Sequence, residues 1–334
     1  MRLVRSNLLA LFSTLLLATT ILSADNKNAK YDDPEAAAKD ADFNVQGEYS
    51  GEVKEGDKTL KMGAQIIALS NGTFKGVNYR GGLPGDGYDK TLGKVEADSK
   101  LTDAGLEFVG PKYRGVLKDG TITIYEVATG TEVGKLKKVN RESPTIGAKP
   151  PQGAVILFDG KTNQFKEGDN KVTKDGLLMQ GVTSTATFGD FSLHIEFRLP
   201  FQPGARGQGR GNSGIYMQGR YEVQMLDSFG LQGKDNECGG IYTIKAPDVN
   251  MCFPPLAWQT YDVDFTAARF DDGGKKTANA KITVRHNGVI IHQDVELPKA
   301  TTASPVKEGK ENGPIYLQDH GNPVRYRNIW IVPK

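Results

Sequence analysis

The chain has 334 residues, with 42 Lys or Arg and 40 Asp or Glu, so its formal net charge is +2. A charge this close to balance gives no reason to expect nucleic acid or an anionic membrane as a partner. The length predicts two domains, and 40 glycines with little helical periodicity indicate many turns and therefore many strands.

The first segment, residues 1–24, is predicted to be a signal peptide. Arg2 and Arg5 give it a positive start, an apolar run follows over residues 8–21, and Ala24 is a small residue at a plausible cleavage point. The apolar run is short for a bilayer span, although an uncleaved membrane anchor is the alternative interpretation. The mature protein is therefore expected to be periplasmic or secreted, with no membrane association after cleavage.

Residues 25–42 are charged and Ala-rich, which predicts a linker with one short helix near Pro34. Residues 43–140 alternate strand-like runs with the hairpin turn signals Asn71-Gly72 and Asp119-Gly120, and they predict a small accessory antiparallel β domain. Residues 141–153 are punctuated by Pro and Gly and predict a second linker.

Residues 154–334 continue as short strands separated by turns, which predicts an all-β, two-sheet sandwich. Within this region residues 191–199 alternate strictly between apolar and polar side chains. The polar members are His194, Glu196 and Arg198, which share one strand face. Such a face is either a solvated outer surface or part of a binding site, in which Glu196 and Arg198 would contact a substrate.

The strongest functional signal is the segment from Gly211 to Ser228. On a strand, Glu222 and Gln224 share one face while apolar neighbours take the other. A carboxylate and an amide on an otherwise apolar strand are costly to bury without partners, so they predict a cleft for a polar ligand such as a carbohydrate. Asp227 is out of phase with Glu222 and reaches the same cleft only where the strand ends or bulges.

A second cluster follows near the carboxyl terminus, where Gln318 and His320 share a face and Asp319 lies between them. Gln318 and Asp319 are predicted to contact the substrate. His320 is the best single candidate for a general acid or base, and a structural histidine at a strand end is the alternative. Tyr242 belongs to a further segment whose aromatic side chains either stack on a sugar ring or join the core.

Two cysteines, Cys238 and Cys252, are predicted to form either a disulfide or a pair of buried thiols. No cofactor is predicted, since the Gly-rich segment before Gly214 lacks the Lys-Ser/Thr of a phosphate loop and no zinc spacing is present. Asp and Glu oxygens leave a divalent metal such as calcium open.

Taken together these segments resemble the 3-keto-disaccharide hydrolase domain family, which has a concanavalin A-like lectin/glucanase jelly-roll sandwich. The matching stretches occur in the family's order and are residues 157–161, 189–198, 211–216, 221–228, 258–261 and 313–321. The resemblance implies that residues 154–334 form such a sandwich, preceded by the small antiparallel β domain.

The resemblance also implies chemistry on sugars already oxidised at C3. A base removes the C2 proton, the glycosidic oxygen leaves from C1 by β-elimination, and water adds to the product. Glu222 and His320 are then the base and the acid, in either order, and Gln224, Asp227 and Arg198 contact hydroxyls or the ketone. Two alternatives are a non-catalytic lectin-like module and a conventional endoglucanase of the same fold, which needs paired carboxylates.

Overall fold

The computed structural model describes residues 25–334, so the predicted signal peptide lies outside the described residues. Two short helices open this part of the chain, α1 (Pro34–Ala37) and α2 (Ala41–Val45). Neither they nor any other helix within residues 25–334 has the length and apolar content needed to cross a membrane. Nearly all remaining regular structure is β-strand, and the predicted fold class is confirmed.

The first eight strands belong to one antiparallel sheet. They are β1 (Gly47–Glu55), β2 (Lys58–Ala68), β3 (Thr73–Arg80), β4 (Lys94–Lys100), β5 (Leu106–Val109), β6 (Tyr113–Lys118), β7 (Thr121–Glu126) and β8 (Glu132–Val139). The strand order is β4-β3-β2-β1-β8-β7-β6-β5, so β1 pairs with β8 and the sheet curls into a barrel. The edge strands β4 and β5 approach each other without a hydrogen-bonded ladder, which leaves a seam.

The predicted turn signals explain how these strands reverse. Asp119 and Gly120 both have positive φ, 49° and 72°, between the paired residues Lys118 and Thr121. This is the backbone that a two-residue hairpin with the natural strand twist requires, and Asp-Gly adopts it readily.

The remaining strands build two further sheets and one short ribbon. They are β9 (Val155–Phe158), β10 (Leu178–Met179), β11 (Val182–Phe188), β12 (Phe191–Arg198), β13 (Ser213–Met217), β14 (Tyr221–Met225), β15 (Trp258–Thr266), β16 (Arg269–Phe270), β17 (Lys276–Ala278), β18 (Ala280–His286), β19 (Val289–Leu297), β20 (Gly313–Leu317) and β21 (Arg325–Pro333). One sheet has the order β10-β21-β12-β15-β18-β19 with β9 on β21, and the other has the order β11-β20-β13-β14. The ribbon is formed by β16 and β17.

These two sheets enclose one apolar core, as a sandwich requires. The predicted alternation of β12 is present, since Leu193, Ile195 and Phe197 are buried in this core. Val223 and Met225 of β14 enter the same core from the four-stranded sheet.

Residues 25–42, predicted as a linker, are packed against both folded regions. The amide of Asn26 donates hydrogen bonds to both carboxylate oxygens of Asp40 and to Asp42, at 2.8–3.0 Å. Tyr31 forms two backbone hydrogen bonds with Phe201 of the sandwich region. The segment is ordered because its polar groups are buried and satisfied, not because it is helical throughout.

The second predicted linker, residues 141–153, lies across the outer face of the seven-stranded sheet. Arg141 donates to the buried carboxylate of Glu48 at 2.6–2.7 Å, and the Thr145 hydroxyl donates to Asp262 at 2.7 Å. The Gly147 amide donates to Glu196 at 2.6 Å. This segment therefore fastens the barrel to the sandwich while covering polar groups of the sheet.

Apolar side chains also cross between the two regions. Phe201 belongs to the cluster that fills the barrel, and Phe229 packs with Ile67, Val77 and Tyr79 on the barrel's outer wall. Both phenylalanines are buried, so their contacts contribute to stability in the way that core contacts do.

We expect Phe229→Ala to lower the free energy of unfolding by about 3–5 kcal/mol, because it leaves a cavity against the barrel wall. Val127→Ala is the control, since Val127 is 48% exposed and should change stability by less than about 0.5 kcal/mol. Urea denaturation followed by circular dichroism measures both. Equal effects of the two substitutions would contradict a stabilising role for this contact.

Candidate active site

The β13–β14 hairpin positions the main candidate residue, Glu222. Its register pairs Tyr216 with Glu222 and Gly214 with Gln224. Because Val223 points into the core, Glu222 and Gln224 point to the opposite face of the four-stranded sheet. The alternation that the sequence predicts is thus present in the structure.

The carboxylate of Glu222 is buried, and only one of its oxygens is hydrogen-bonded. The Tyr216 hydroxyl donates to Oε2 at 2.7 Å, and the Gln318 amide donates to the Tyr216 hydroxyl at 3.1 Å. Oε1 accepts no hydrogen bond from any residue within 25–334. A polar atom without a partner in such a setting is available to a ligand.

Gly214 provides the space that this carboxylate occupies. A Cβ atom at Gly214 would stand 2.1 Å from Oε1 of Glu222, which is far inside van der Waals contact. The Gly214 carbonyl also accepts a hydrogen bond from the backbone N–H of Gln318 at 2.9 Å. The missing side chain therefore lets Glu222 lie over the sheet between Gln224 and Gln318.

Burial raises the pKa of Glu222 to about 7, and the hydrogen bond from Tyr216 opposes part of that rise. Burial is the larger effect because the charged carboxylate loses its water and gains one donor, Tyr216, from the residues that the structure describes. The same setting raises the pKa of Tyr216, chiefly by burial and then through the neighbouring Glu222 charge. Glu222 can therefore take up or release a proton near neutral pH.

Amides and tyrosines lie near this carboxylate. The name cleft is used for the group formed by Gln208, Asn212, Gly214, Tyr216, Glu222, Gln224, Tyr316 and Gln318. The Gln224 side chain donates to Gln208 at 3.2 Å, and Asn212 donates to the same Gln208 oxygen at 3.0 Å. The rings of Tyr216 and Tyr316 lie 5.4 Å apart. Such neutral donors and acceptors suit the hydroxyl groups of a sugar.

Of the other predicted site residues, Tyr242 and Gln318 adjoin Glu222. The Tyr242 backbone N–H donates to the Glu222 carbonyl at 3.2 Å. His320 lies on the exposed turn that follows β20, and its side chain makes no hydrogen bond with residues 25–334. Asp319 closes that turn by accepting from the Gly321 N–H at 2.9 Å.

Asp227 lies beyond the end of β14 and does not face the cleft. Its carboxylate pairs with Arg210 at 2.6 Å, and both side chains are buried. Arg210 in turn donates to the Ala68 carbonyl of the barrel at 3.1 Å. The strand thus ends where the sequence predicts. Beyond that end, however, the Asp227 side chain forms a buried ion pair with Arg210.

Glu196 and Arg198 lie on the other sheet, away from Glu222. Glu196 accepts from Gly147, Asn328 and Arg327 at 2.6–2.8 Å. Burial alone would raise the pKa of Glu196, but hydrogen bonds with His194, Asn328, Arg327 and the Gly147 amide lower it to about 2. The face is therefore neither solvated nor part of the cleft.

Arg198 is fixed by a neighbouring segment in a similar way. Its guanidinium donates to the Asp32 carbonyl at 2.6 Å and lies 5.0 Å from the Trp258 ring centre. The sequence gives no sign that residues 31–33 and 143–149 would cover this face, because that depends on where the connecting segments run.

Cys238 and Cys252 are both free and buried in the structure, which matches the buried-thiol interpretation. Cys238 Sγ lies 3.3 Å from the Tyr261 hydroxyl, which donates to the Gln224 carbonyl at 2.7 Å. Within residues 25–334, His, Cys, Asp and Glu form no group of three or more suited to hold a metal ion.

Five residues of the cleft were not among the predicted site residues: Gln208, Asn212, Gly214, Tyr216 and Tyr316. Of these residues, Tyr216 alone could have been predicted from the sequence, through the register of its hairpin. A hairpin centred on Gly219 places position 216 opposite position 222, so the register alone pairs the hydroxyl with the carboxylate.

Comparison with known proteins finds one matching family and similar solved structures. The model of the 3-keto-alpha-glucoside-1,2-lyase-like domain family matches residues 153–332. A solved structure described as a "putative glycosyl hydrolase" from Parabacteroides distasonis is 32% identical, covers 55% of this chain and 85% of its own, and has a TM-score of 0.50. A second, described in the same words and from the same organism, is 18% identical with a TM-score of 0.38, covering 55% and 94% of the two chains. A search of curated proteins returned no match.

We expect Tyr216→Phe to raise the pKa of Glu222 by about one unit, because the carboxylate loses the one side-chain donor that residues 25–334 supply to it. The direction of this shift follows because the hydrogen bond from Tyr216 stabilises the charged carboxylate and thereby lowers the pKa of Glu222. Infrared titration of the carboxyl band, assigned through Glu222→Gln, measures the shift. Tyr316→Phe is the control, since Tyr316 makes no hydrogen bond to Glu222, and an equal shift there would contradict the assignment.

Proposed function

The chain belongs to the 3-keto-alpha-glucoside-1,2-lyase-like domain family, and on this premise we propose that it cleaves 3-keto-glycosides by elimination followed by hydration. The observation that carries the proposal is the state of Glu222. Its pKa is about 7, its Oε1 has no hydrogen-bond partner among residues 25–334, and Gly214 leaves space beside it. A base with these properties is suited to remove a weakly acidic carbon-bound proton.

In the first step Glu222 Oε1 takes the proton from C2 of the sugar. The electron pair of that C–H bond moves into the C2–C3 bond, and the ketone at C3 becomes an enolate oxygen. Gln224 and Gln318 flank Gly214 through backbone pairing, and a side-chain amide from either residue is our candidate donor to the enolate oxygen, whose charge it would stabilise.

In the second step the enolate carbonyl re-forms and a double bond forms between C1 and C2. The bond from C1 to the glycosidic oxygen breaks, and that oxygen must gain a proton as it leaves. His320, on the exposed turn at the end of β20, is our candidate donor. Water then adds across the C1–C2 double bond, with hydroxyl at C1 and hydrogen at C2.

A conventional endoglucanase mechanism is less well supported. It needs two carboxyl groups on opposite sides of the bond, about 5–9.5 Å apart. Glu222 has amide and phenol neighbours, Asp227 is held by Arg210, and Glu196 lies on the other sheet. A lectin-like module would use the same polar cleft without chemistry, but it would have no need for a carboxylic acid poised near neutral pH.

We expect Glu222→Gln to lower turnover of a 3-keto-glucoside by at least about a hundredfold, because the amide cannot accept the C2 proton. The wild-type rate should rise with pH through about 7, since the base acts in its deprotonated form. Release of the leaving group measures turnover. Asp227→Asn is not a suitable control, because Asp227 supports Arg210; Glu132→Gln, on the exposed surface of β8, is the matched change of carboxylate to amide.

A test with the unoxidised glycoside distinguishes the three candidate functions: elimination, conventional endoglucanase hydrolysis and lectin-like binding. Without the C3 ketone the C2 proton is not acidic enough to remove, so we expect no cleavage of that sugar. Cleavage of both sugars at similar rates would favour the endoglucanase, and binding of both without cleavage would favour the lectin-like module.

We also propose that the protein is exported and begins near Asp25, on the strength of the sequence pattern in residues 1–24. Intact-mass measurement of the protein recovered from a producing cell tests this. A mass that includes residues 1–24 would contradict cleavage.

A further inference from the structure

The eight-stranded barrel contains a cavity that the proposed sugar chemistry does not use. Its volume is about 340 Å³, which lies within the usual range for small-molecule sites. Eight strands enclose a space that either fills with side chains or holds one small ligand. Here the two ends of the barrel differ, and the cavity occupies only one of them.

The end nearest the sandwich is filled. Tyr49, Phe74 and Leu117 point inward there, and Ala37 of α1 and Phe201 pack on them. The opposite end is where β3 ends at Arg80 and β6 begins at Tyr113, and it carries the cavity.

Small residues form part of the wall at the open end, where Gly76 and Gly115 line the cavity. A Cβ at Gly76 would meet the Phe108 ring at 2.8 Å, so this glycine makes room for the Phe108 side chain in the wall. Apolar walls complete the chamber, formed by Leu60, Met62, Ala64, Ile66, Ala97, Ile122, Ile124 and Leu136.

The mouth exposes apolar surface. Leu92 is 51% and Val95 44% exposed, and both line the cavity. Val109 is 59% exposed on the same edge, next to the lining residue Phe108. Large apolar side chains grouped around one opening mark a place where an apolar ligand binds.

The charged side chains at the mouth are mostly basic, and three of them line the described cavity: Arg80, Lys94 and Lys112. Just outside the lining, Glu55 binds Arg80 at 2.5 Å and also Lys112, and Glu96 pairs with Lys94 at 2.8 Å. Three cations thus meet two carboxylates, and the remaining positive charge favours an anionic group at the opening.

We propose that the barrel binds a single-chain amphiphile, with its alkyl chain in the cavity and its carboxylate at Arg80 and Lys112. A methylene group occupies roughly the 30 Å³ that a water molecule takes in the liquid, so the cavity accepts about ten carbons. Decanoate is therefore the probe of choice, because its chain length matches the cavity volume and its carboxylate matches the positive charge at the mouth.

Calorimetric titration of the full chain with octanoate and decanoate, below their aggregation concentrations, tests the site. The two added methylenes should tighten binding by about fifteenfold, because each buried methylene contributes about fourfold. Absence of saturable binding by decanoate would overturn the proposal. Decanol binding as tightly as decanoate would overturn the assignment of the head group.

Single substitutions test whether the ligand binds in the barrel cavity. Ala97→Phe should fill the cavity and abolish binding, whereas Val127→Phe, on the exposed loop after β7, should not. Arg80→Gln should weaken decanoate binding about two- to fivefold, the range for an exposed ion pair, and Lys118→Gln should not. Glu55→Gln should tighten it, because it removes the competing carboxylate. Wild-type affinity in both Ala97→Phe and Arg80→Gln would exclude this cavity as the site.

Discussion

The hydrogen bond from Tyr216 to Glu222 is the interaction on which the cleft depends. It fixes the carboxylate above Gly214 and engages one oxygen, while the other accepts no hydrogen bond from the described part of the chain. A buried carboxylate with one donor is costly in its charged form, so its proton affinity rises. The hairpin register and the missing Cβ together create this condition.

Glu196 shows that burial alone does not produce this state. Both glutamates are almost inaccessible to solvent, yet the pKa of Glu196 is about 2 and that of Glu222 is about 7. Glu196 is surrounded by His194, Asn328 and Arg327 and by a backbone amide, all of which stabilise its charge. It remains an anion that fastens the segment around Gly147, whereas Glu222 is able to exchange a proton at neutral pH.

The barrel also contributes to the cleft, although it supplies none of the side chains around Glu222. Arg206 and Arg210 donate to the carbonyls of Leu69 and Ala68 in the barrel, at 2.8 and 3.1 Å. Between these arginines lies Gln208, which accepts from Gln224. The loop that carries Gln208 is therefore held from behind by the first region of the chain, which connects the placement of cleft residues to the contact between the two regions.

The sequence by itself determined the all-β architecture, the hairpin turns and the side of β14 that bears Glu222 and Gln224. These features depend on neighbours close in the chain, since strand alternation and Asp-Gly or Asn-Gly turns need no tertiary information. Only the tertiary structure decided which polar residues meet. The face of Glu196 and Arg198 follows the same alternation as that of Glu222, but distant segments cover it and satisfy its charges. Whether a buried carboxylate becomes a fixed anion or a proton acceptor depends on donors that come from elsewhere in the chain, and local pattern cannot specify them.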